Sequence, residues 1–321
     1  MEYTKAGIQK QNYNINEVEL RDCPVCGCKD FLKIYQERGA VGVVRCKNCD
    51  FIYVNPMVKD PGKNYWGDED KYLQEAMLIL KGLAPHHRDP NYLDDLKVIE
   101  YFKPKGNFLD IGSNMGFFLR HASGGKWNIF GVEPSPALAE IARKYFNLNV
   151  KTAYLDDAGF DNEFFDVVTM TDVFEHIENP NAILQSVKKV IKKCGILFVK
   201  VPNGRYNLLK LWFAKIIGNA DDYDIFDSYE HVSHFTAKTL RKVLENNGFK
   251  IKKFYIGRPI QLPAWHKYVG QYYQYPSPWY LDAKSYILRI SFYWVSKFER
   301  LLRFGDIGYF APNIIVIAEK E

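Results

Sequence analysis

Four cysteines carry the first chemistry visible in the chain. Cys23-Pro-Val-Cys26 and Cys46-Lys-Asn-Cys49 are two C-x2-C pairs separated by 19 residues. Such a pair on a tight turn aims two thiolates at one point, and two pairs close a tetrahedral all-sulfur shell with no open position. The expected occupant is a structural Zn2+ held by Cys23, Cys26, Cys46 and Cys49 in a zinc-ribbon hairpin. The short β-type runs FLKIY, VGVVR and FIYV around the pairs are too little core to hold a hairpin unaided. Cys28 reads as a bystander, because Cys26 supplies the standard spacing. Cys194 follows a helix and reads as an incidental thiol.

A second set of residues works through main chain and carboxylates. Phe108-Leu109-Asp110-Ile111-Gly112-Ser113-Asn114-Met115-Gly116 runs off a strand into a helix. Its glycines let the backbone approach a ligand at a helix N-terminus. The third glycine of a dinucleotide loop is missing, and Asp110 stands two residues before the first. That carboxylate would repel a pyrophosphate and attract a ligand with a cationic part. Glu133 ends the next strand in Gly131-Val132-Glu133-Pro134-Ser135, where a carboxylate can accept from both hydroxyls of a ribose. Further on, Phe165-Asp166-Val167-Val168 leads to Asp172-Val173-Phe174-Glu175-His176-Ile177-Glu178-Asn179-Pro180.

The elements that must position these groups alternate. Strands are expected at NFLDIG, WNIFGVE, NVKTA, FFDVVTMTDV, GILFVKVP, FKIKKFYIG and NIIVIAEK. Helices are expected between them, with Pro136 in a first turn, Thr236 as an N-cap and Gly248 as a stop. A helix over 90–103 is expected to bury Leu93, Leu96, Val98, Ile99 and Phe102. Strands alternating with helices of this length mean an α/β fold with a parallel, doubly wound sheet.

The combination D-I-G-S-N-M-G, G-V-E-P-S and F-D-V-V…D-V-F-E-H-I-E-N-P resembles the class I S-adenosylmethionine (SAM)-dependent methyltransferases. The resemblance covers residues 90–257 and 313–320. It implies a seven-stranded Rossmann-like sheet with its last strand antiparallel, SAM as cofactor, and methyl transfer. Carried over position by position, it implies that Asp110, Gly112, Ser113 and Gly116 line the cofactor and that Glu133 binds its ribose. It further places Leu155 and Asp156 beside the adenine, with Asp156 or Asp157 accepting from its amino group, and Asp172 and Val173 beside the cofactor at the end of the fourth strand. Glu175-His176 reads as a pair that shapes the loop. A zinc ribbon ahead of such a domain resembles sugar C-methyltransferases and methyltransferases of surface-polysaccharide clusters. Their active-site Glu-His pair corresponds to Glu230-His231, which implies His231 as the general base and Glu230 as its orienting partner. Imidazole suits a base because it titrates near working pH. His234 is a further candidate.

The expected organisation is a tail and zinc ribbon over 1–55, a connecting helical segment over 56–103, and a methyltransferase domain over 104–321 with lid insertions at 205–233 and 258–312. Of the 50 aromatic residues 25 fall in 205–321, where 17 Lys/Arg face 11 Asp/Glu, so this part could serve a ring-shaped or anionic acceptor. Tyr65, Trp66, Trp265, Tyr272 and Tyr273 are candidates to stack on it. The expected acceptor is a small molecule, a nucleotide-linked or lipid-linked sugar. A ribosomal or transfer RNA acceptor is disfavoured, since the ribbon's Arg21, Lys29, Lys33, Arg38, Arg45 and Lys47 are partly balanced by acids and strand four lacks an N/D-P-P-Y motif. A membrane-peripheral lipid or isoprenoid methyltransferase is the other alternative, because 208–218 and 286–304 read either as buried lid helices or as interfacial ones. The buried reading is the expectation. The N-terminus has no apolar core of a signal peptide, and a cytoplasmic location is expected.

Overall fold

Strand β9 (Phe165–Thr171) and the part of β10 (Ile191–Pro202) from Gly195 onward are mostly apolar and buried, as strands covered on both faces must be. They form the middle of a seven-stranded sheet seen in a computed structural model, which describes residues 12–59, 76, 77, 79–81, 86, 88–218, 224–257, 279–303 and 305–321. Tyr65, Trp66, Trp265, Tyr272 and Tyr273, proposed to stack on an acceptor, lie outside the described residues. The other strands of the sheet are β6 (Gly106–Ile111), β7 (Trp127–Val132), β8 (Val150–Lys151), β12 (Phe249–Tyr255) and β13 (Asn313–Lys320). The order is β12-β13-β10-β9-β6-β7-β8. All neighbours from β10 to β8 are parallel, and β13 runs antiparallel to both β10 and β12. The expected Rossmann-like methyltransferase sheet, with its reversed last strand, is the one observed.

Local sequence sets most helix ends. Ser135 caps α3 (Pro136–Phe146), Asn179 caps α4 (Pro180–Val190), and Thr236 shares a capping box with Thr239 in α6 (Ala237–Asn246). Before these come α1 (Asp89–Phe102) and the short α2 (Leu119–Ala122); α5 (Gly204–Ile217) and α7 (Trp279–Leu302) occupy the two insertions. The burial expected of α1 is partly wrong. Tyr92, Leu96 and Ile99 face the core, but so do Asn91 and Asp95, while Leu93 is 46% exposed. Lys200 in β10 is buried and pairs with Asp95 at 2.7 Å. Holding Asp95 against that ammonium turns Leu93 outward.

The N-terminal module comprises β1 (Val18–Glu19), β2 (Phe31–Glu37), β3 (Val41–Cys46), β4 (Ile52–Val54) and β5 (Met57–Val58). Its four-stranded sheet, order β11-β4-β3-β2, takes its edge strand β11 (Ser233–His234) from far along the chain. Cys23, Cys46, Cys49, Phe51 and Tyr53 share one apolar cluster with β9, β10 and α6. Phe235 is the hinge of that cluster, stacked on Phe174 at 4.6 Å and tilted against Phe51 at 5.2 Å. The ribbon and the large sheet therefore pack through a common core.

Polar groups lock the same junction. Glu37 Oε1 accepts from the N–H groups of Ile225 and Phe226, both at 2.8 Å, and Oε2 accepts from Ser228 N and Oγ. Arg38 donates twice to Asp224 and lies over the Tyr229 ring. Arg21 donates to the carbonyls of Val54, Glu178 and Val232. Replacing Glu37 by Ala leaves four buried donors without their acceptor and should cost about 3 kcal/mol of unfolding free energy. Urea unfolding of the variant checks this; a loss under about 1 kcal/mol would show that the clamp is redundant.

Candidate active site

The C-terminal ends of β6, β7, β9 and β10 meet along one edge, where open parallel sheets bind ligands. The turn after β6 closes when Gly112 N and Ser113 N both donate to the Val132 carbonyl, at 2.9 and 3.0 Å. Gly112 has φ +68°, and a Cβ there would meet Val173 Cγ2 at 2.6 Å. Only glycine lets the turn lie this close to the end of β9. Glu133 then ties the turn to α3: its carboxylate accepts from Asn114 N at 2.8 Å and Ser135 N at 2.9 Å. Burial raises the Glu133 carboxyl from its ordinary value while these two N–H groups oppose the shift. Ser113 Oγ and Thr171 Oγ1 are buried without a hydrogen-bond partner among the described residues.

Asp110 is buried at 3% exposure and accepts from Thr169 Oγ1 at 2.6 Å. Its carboxyl is thus turned sideways, onto the next strand. Burial pushes it up to about 7; the Thr169 hydroxyl opposes the shift and the charge of Glu133 adds to it. At the end of β9, Asp172 takes φ +54° and its carboxylate pairs with Arg88. Burial would raise this carboxyl, but Arg88 and Lys200 hold it below the usual value. Neither cation stood out in the sequence, although a lysine inside GILFVKVP, an otherwise apolar run, was a signal for Lys200.

Beyond Asp172 lies a buried group that joins two distant segments. Glu175 is 2% exposed, has no partner for Oε2 among the described residues, and is pushed well above the carboxylate range by burial and by Asp172. His176 donates from Nδ1 to the Glu230 carbonyl at 3.0 Å, and its ring meets that of His231 edge-on at 4.7 Å. Burial lowers His176 to about 3 and His231 to about 4, so both rings are neutral at neutral pH. Asp172 is the anion that acts most on His231. The structure thus gathers Asp172, Val173, His176 and His231 at one strand end, with Glu175 behind them.

Other expected residues sit differently. The Glu230 carboxyl lies against Tyr229 and near Asp227, and burial raises it to about 7; its main-chain oxygen is what reaches the site. His234 is in β11, 2% exposed, with its ring on Phe226 at 5.1 Å, because Ser233–His234 completes the ribbon sheet. Leu155 is a core residue and Asp156 is exposed beside it on a 3-10 turn.

Among the described residues two groups have metal-ligand geometry. Cys23, Cys26, Cys46 and Cys49 keep all four sulfurs within 4.8 Å of one another, with Cys23–Cys49 at 3.6 Å and Cys26–Cys46 at 3.5 Å. A tetrahedral zinc–thiolate shell has sulfur–sulfur edges of about 3.8 Å. The two turns repeat one pattern: Gly27 N donates to Cys23 O and Asp50 N to Cys46 O, while Cys23 N donates to Cys28 O and Cys46 N to Phe51 O. Gly27 and Asp50 both take positive φ, at 68° and 64°. Glu175, His176 and His231 form the second group, also within 4.8 Å.

The folded chain keeps the Asp110 proton up to about pH 7, whereas an unfolded carboxylate releases it near pH 4. Between these limits the folded state binds more protons, so stability falls as pH rises. Asp110→Asn should remove that slope, flattening the urea-derived stability between pH 4 and 8 by about 4 kcal/mol. An unchanged slope would place the titration elsewhere.

Residues 85–253, just over half of the chain, match the sequence model of a family described as "Methyltransferase domain". An uncharacterized protein of Methanocaldococcus jannaschii is 28% identical over 187 residues, 58% of this chain and 79% of that one. A ubiquinone biosynthesis O-methyltransferase of Glaesserella parasuis is 30% identical over 120 residues, 34% of this chain and half of that enzyme. In three dimensions, a chain of the complex between the Haloferax volcanii Trm112 methyltransferase activator and a putative methyltransferase superposes with a TM-score of 0.50 at 14% identity, over 78% of this chain and 96% of that one. With the sheet order and the glycine turn already in place, this match makes the chain a member of the methyltransferase-domain family, a SAM-dependent methyltransferase.

Proposed function

We propose that the chain methylates a small-molecule acceptor, a nucleotide-linked or lipid-linked sugar of a surface-polysaccharide pathway, with His231 as general base. The observation that carries this reading is the position of His231. A loop far along the chain brings a neutral imidazole to the end of β9, against His176 and within the field of Asp172. When bound, SAM supplies an electrophilic methyl group on a sulfonium. The residues present suit it. Each Glu133 oxygen accepts one main-chain N–H and keeps a lone pair for a ribose hydroxyl. Ser113 Oγ and Thr171 Oγ1 are buried donors without a partner among the described residues. Asp110, Gly112, Ser113 and Gly116 shape the turn, Asp172 and Val173 flank it, and Leu155 and Asp156 mark the adenine side.

Burial lowers His231 to about 4, which leaves a ring nitrogen unprotonated at neutral pH but makes it a weaker base than a free imidazole. Asp172, the anion that acts most on the ring, would stabilise the imidazolium formed when it takes a proton from the acceptor. Glu230 assists through its carbonyl, which fixes His176 against His231. The relatives named ubiquinone biosynthesis O-methyltransferases favour a second reading, in which the acceptor is a hydroxylated ring related to quinones. A hydroxyl acceptor needs the same base in either case.

We further propose a structural Zn2+ at Cys23, Cys26, Cys46 and Cys49. Residues 1–55 then act as a clamp on the 224–234 loop as well as a ribbon, next to a connecting segment over 56–103 and a catalytic domain over 104–321.

Two measurements test these assignments. His231→Asn should lower turnover at least a hundredfold with S-adenosylhomocysteine affinity unchanged in calorimetry, a loss on the order of general-base catalysis. Glu133→Ala should weaken that affinity, and wild type that fails to bind S-adenosylhomocysteine would end the cofactor assignment. Protein purified without chelator should carry about one equivalent of zinc. Chelation should unfold the ribbon and abolish turnover through the loss of the His231 loop; turnover surviving complete zinc removal would separate the clamp from catalysis.

A further inference from the structure

Helix α7 was expected to be buried as part of a lid, and one of its faces is. Phe292 packs on Tyr206 and Phe310, Ser296 is 1% exposed, and Arg300 donates to the Phe254 carbonyl. The other face is apolar and open. Ile287, Trp294, Phe298 and Leu301 follow one another at steps of seven, four and three residues, a single stripe along a helix, and all are more than 60% exposed. Leu302 widens the stripe. On α5, Trp212, Phe213 and Ile216 are exposed as well. So much outward-facing apolar and aromatic surface marks a contact site rather than ordinary surface.

Charge identifies what covers it. Lys297 and Arg303 flank the α7 stripe, and Lys215 is exposed beside Ile216 on α5, whereas Lys210 turns inward to the Ile225 carbonyl at 3.0 Å and Arg205 reaches the Ile307 carbonyl. Glu299 is turned away from the stripe and accepts from Tyr309 N and Phe310 N, both at 2.9 Å. Asp306 lies 3.6 Å from Arg205. The open face is therefore apolar, aromatic and cationic. A second copy docked by two-fold symmetry would set this surface against itself and bring like charges together. An anionic lipid surface would satisfy both components at once: rings and leucines enter the headgroup boundary while the cations meet phosphates. Among the described residues no helix is long and apolar enough to cross a membrane, so α7 would lie in the plane.

We propose that the α7 stripe, with the exposed end of α5, docks the enzyme on an anionic lipid bilayer. The proposal does not depend on the acceptor or on methyl transfer. The test is flotation of the full chain with phosphatidylcholine vesicles, with and without phosphatidylglycerol. Wild type should float with the anionic vesicles and stay behind with the neutral ones. Trp294→Ser with Phe298→Ser should reduce flotation at least about tenfold, with unchanged S-adenosylhomocysteine binding as the sign of an intact fold. Lys297→Gln with Arg303→Gln should erase the preference for anionic lipid. Wild type that does not float, or a serine variant that floats as well as wild type, overturns the proposal. A stable dimer that the serine variant splits, without vesicle binding, also overturns it and makes the stripe an interface between copies. Absence of S-adenosylhomocysteine binding in wild type would undo the cofactor reading and leave the flotation result standing.

Discussion

The buried carboxylate of Glu37 is the constraint on which the 224–234 loop and its His231 depend. One side chain at the end of a ribbon strand accepts four hydrogen bonds from residues 225–228, nearly two hundred positions away. Burying a charge costs several kcal/mol unless its lone pairs are filled, and here both oxygens are doubly used. The order imposed on 225–228 passes on by short steps. Glu230 N and His231 N donate to the Asp227 carbonyl, and β11 then enters the ribbon sheet beside β4. His231 is thereby fixed from both sides.

The cofactor edge obeys a different economy of charge. Asp110, Glu133 and Glu175 are buried with few compensating cations, and their carboxyls are all raised. Asp95 and Asp172, a few residues from them in space, have Lys200 and Arg88. Burial still raises Asp95 despite Lys200, whereas Asp172 is held low, so acids whose ionised forms are under-stabilised stand beside one that is already matched. A cationic ligand at the turn would relieve the first group without disturbing the second. This is the same preference that the position of Asp110 ahead of the glycines suggests from sequence, although the carboxyl itself leans on Thr169.

Much of the frame was legible because its causes are local. Caps at Ser135, Asn179 and Thr236 and the apolar runs of β9 and β10 depend on neighbours within a few residues. The cysteine quartet was readable for the same reason, since a C-x2-C turn builds half a metal shell by itself. Errors arose where a partner lies far off in sequence. Leu93 fits the apolar periodicity of α1, yet the distant Lys200 rotates the helix. His234 looked like a candidate for the site, yet pairing with Ile52 buries it in another sheet. The α7 sequence admits a buried or an interfacial helix, with burial the expectation, because periodicity reports apolar faces and not which one finds a partner.

Among the described residues of 205–321 the aromatic rings are divided between packing and exposure: Phe235 joins the ribbon to the large sheet and Phe226 packs the ribbon against Leu211 of α5, while Trp294 and Phe298 face outward. By itself the sequence determined the sheet, the glycine turn with its acids and the metal-type cysteine turns, since each is written in short-range pattern. The tertiary structure alone decided how His231 is held at the strand end, which carboxylate holds its loop and which helix face stays open. Those outcomes depend on pairing across more than a hundred residues, where desolvation and hydrogen-bond satisfaction select the partner and local pattern carries no record of it.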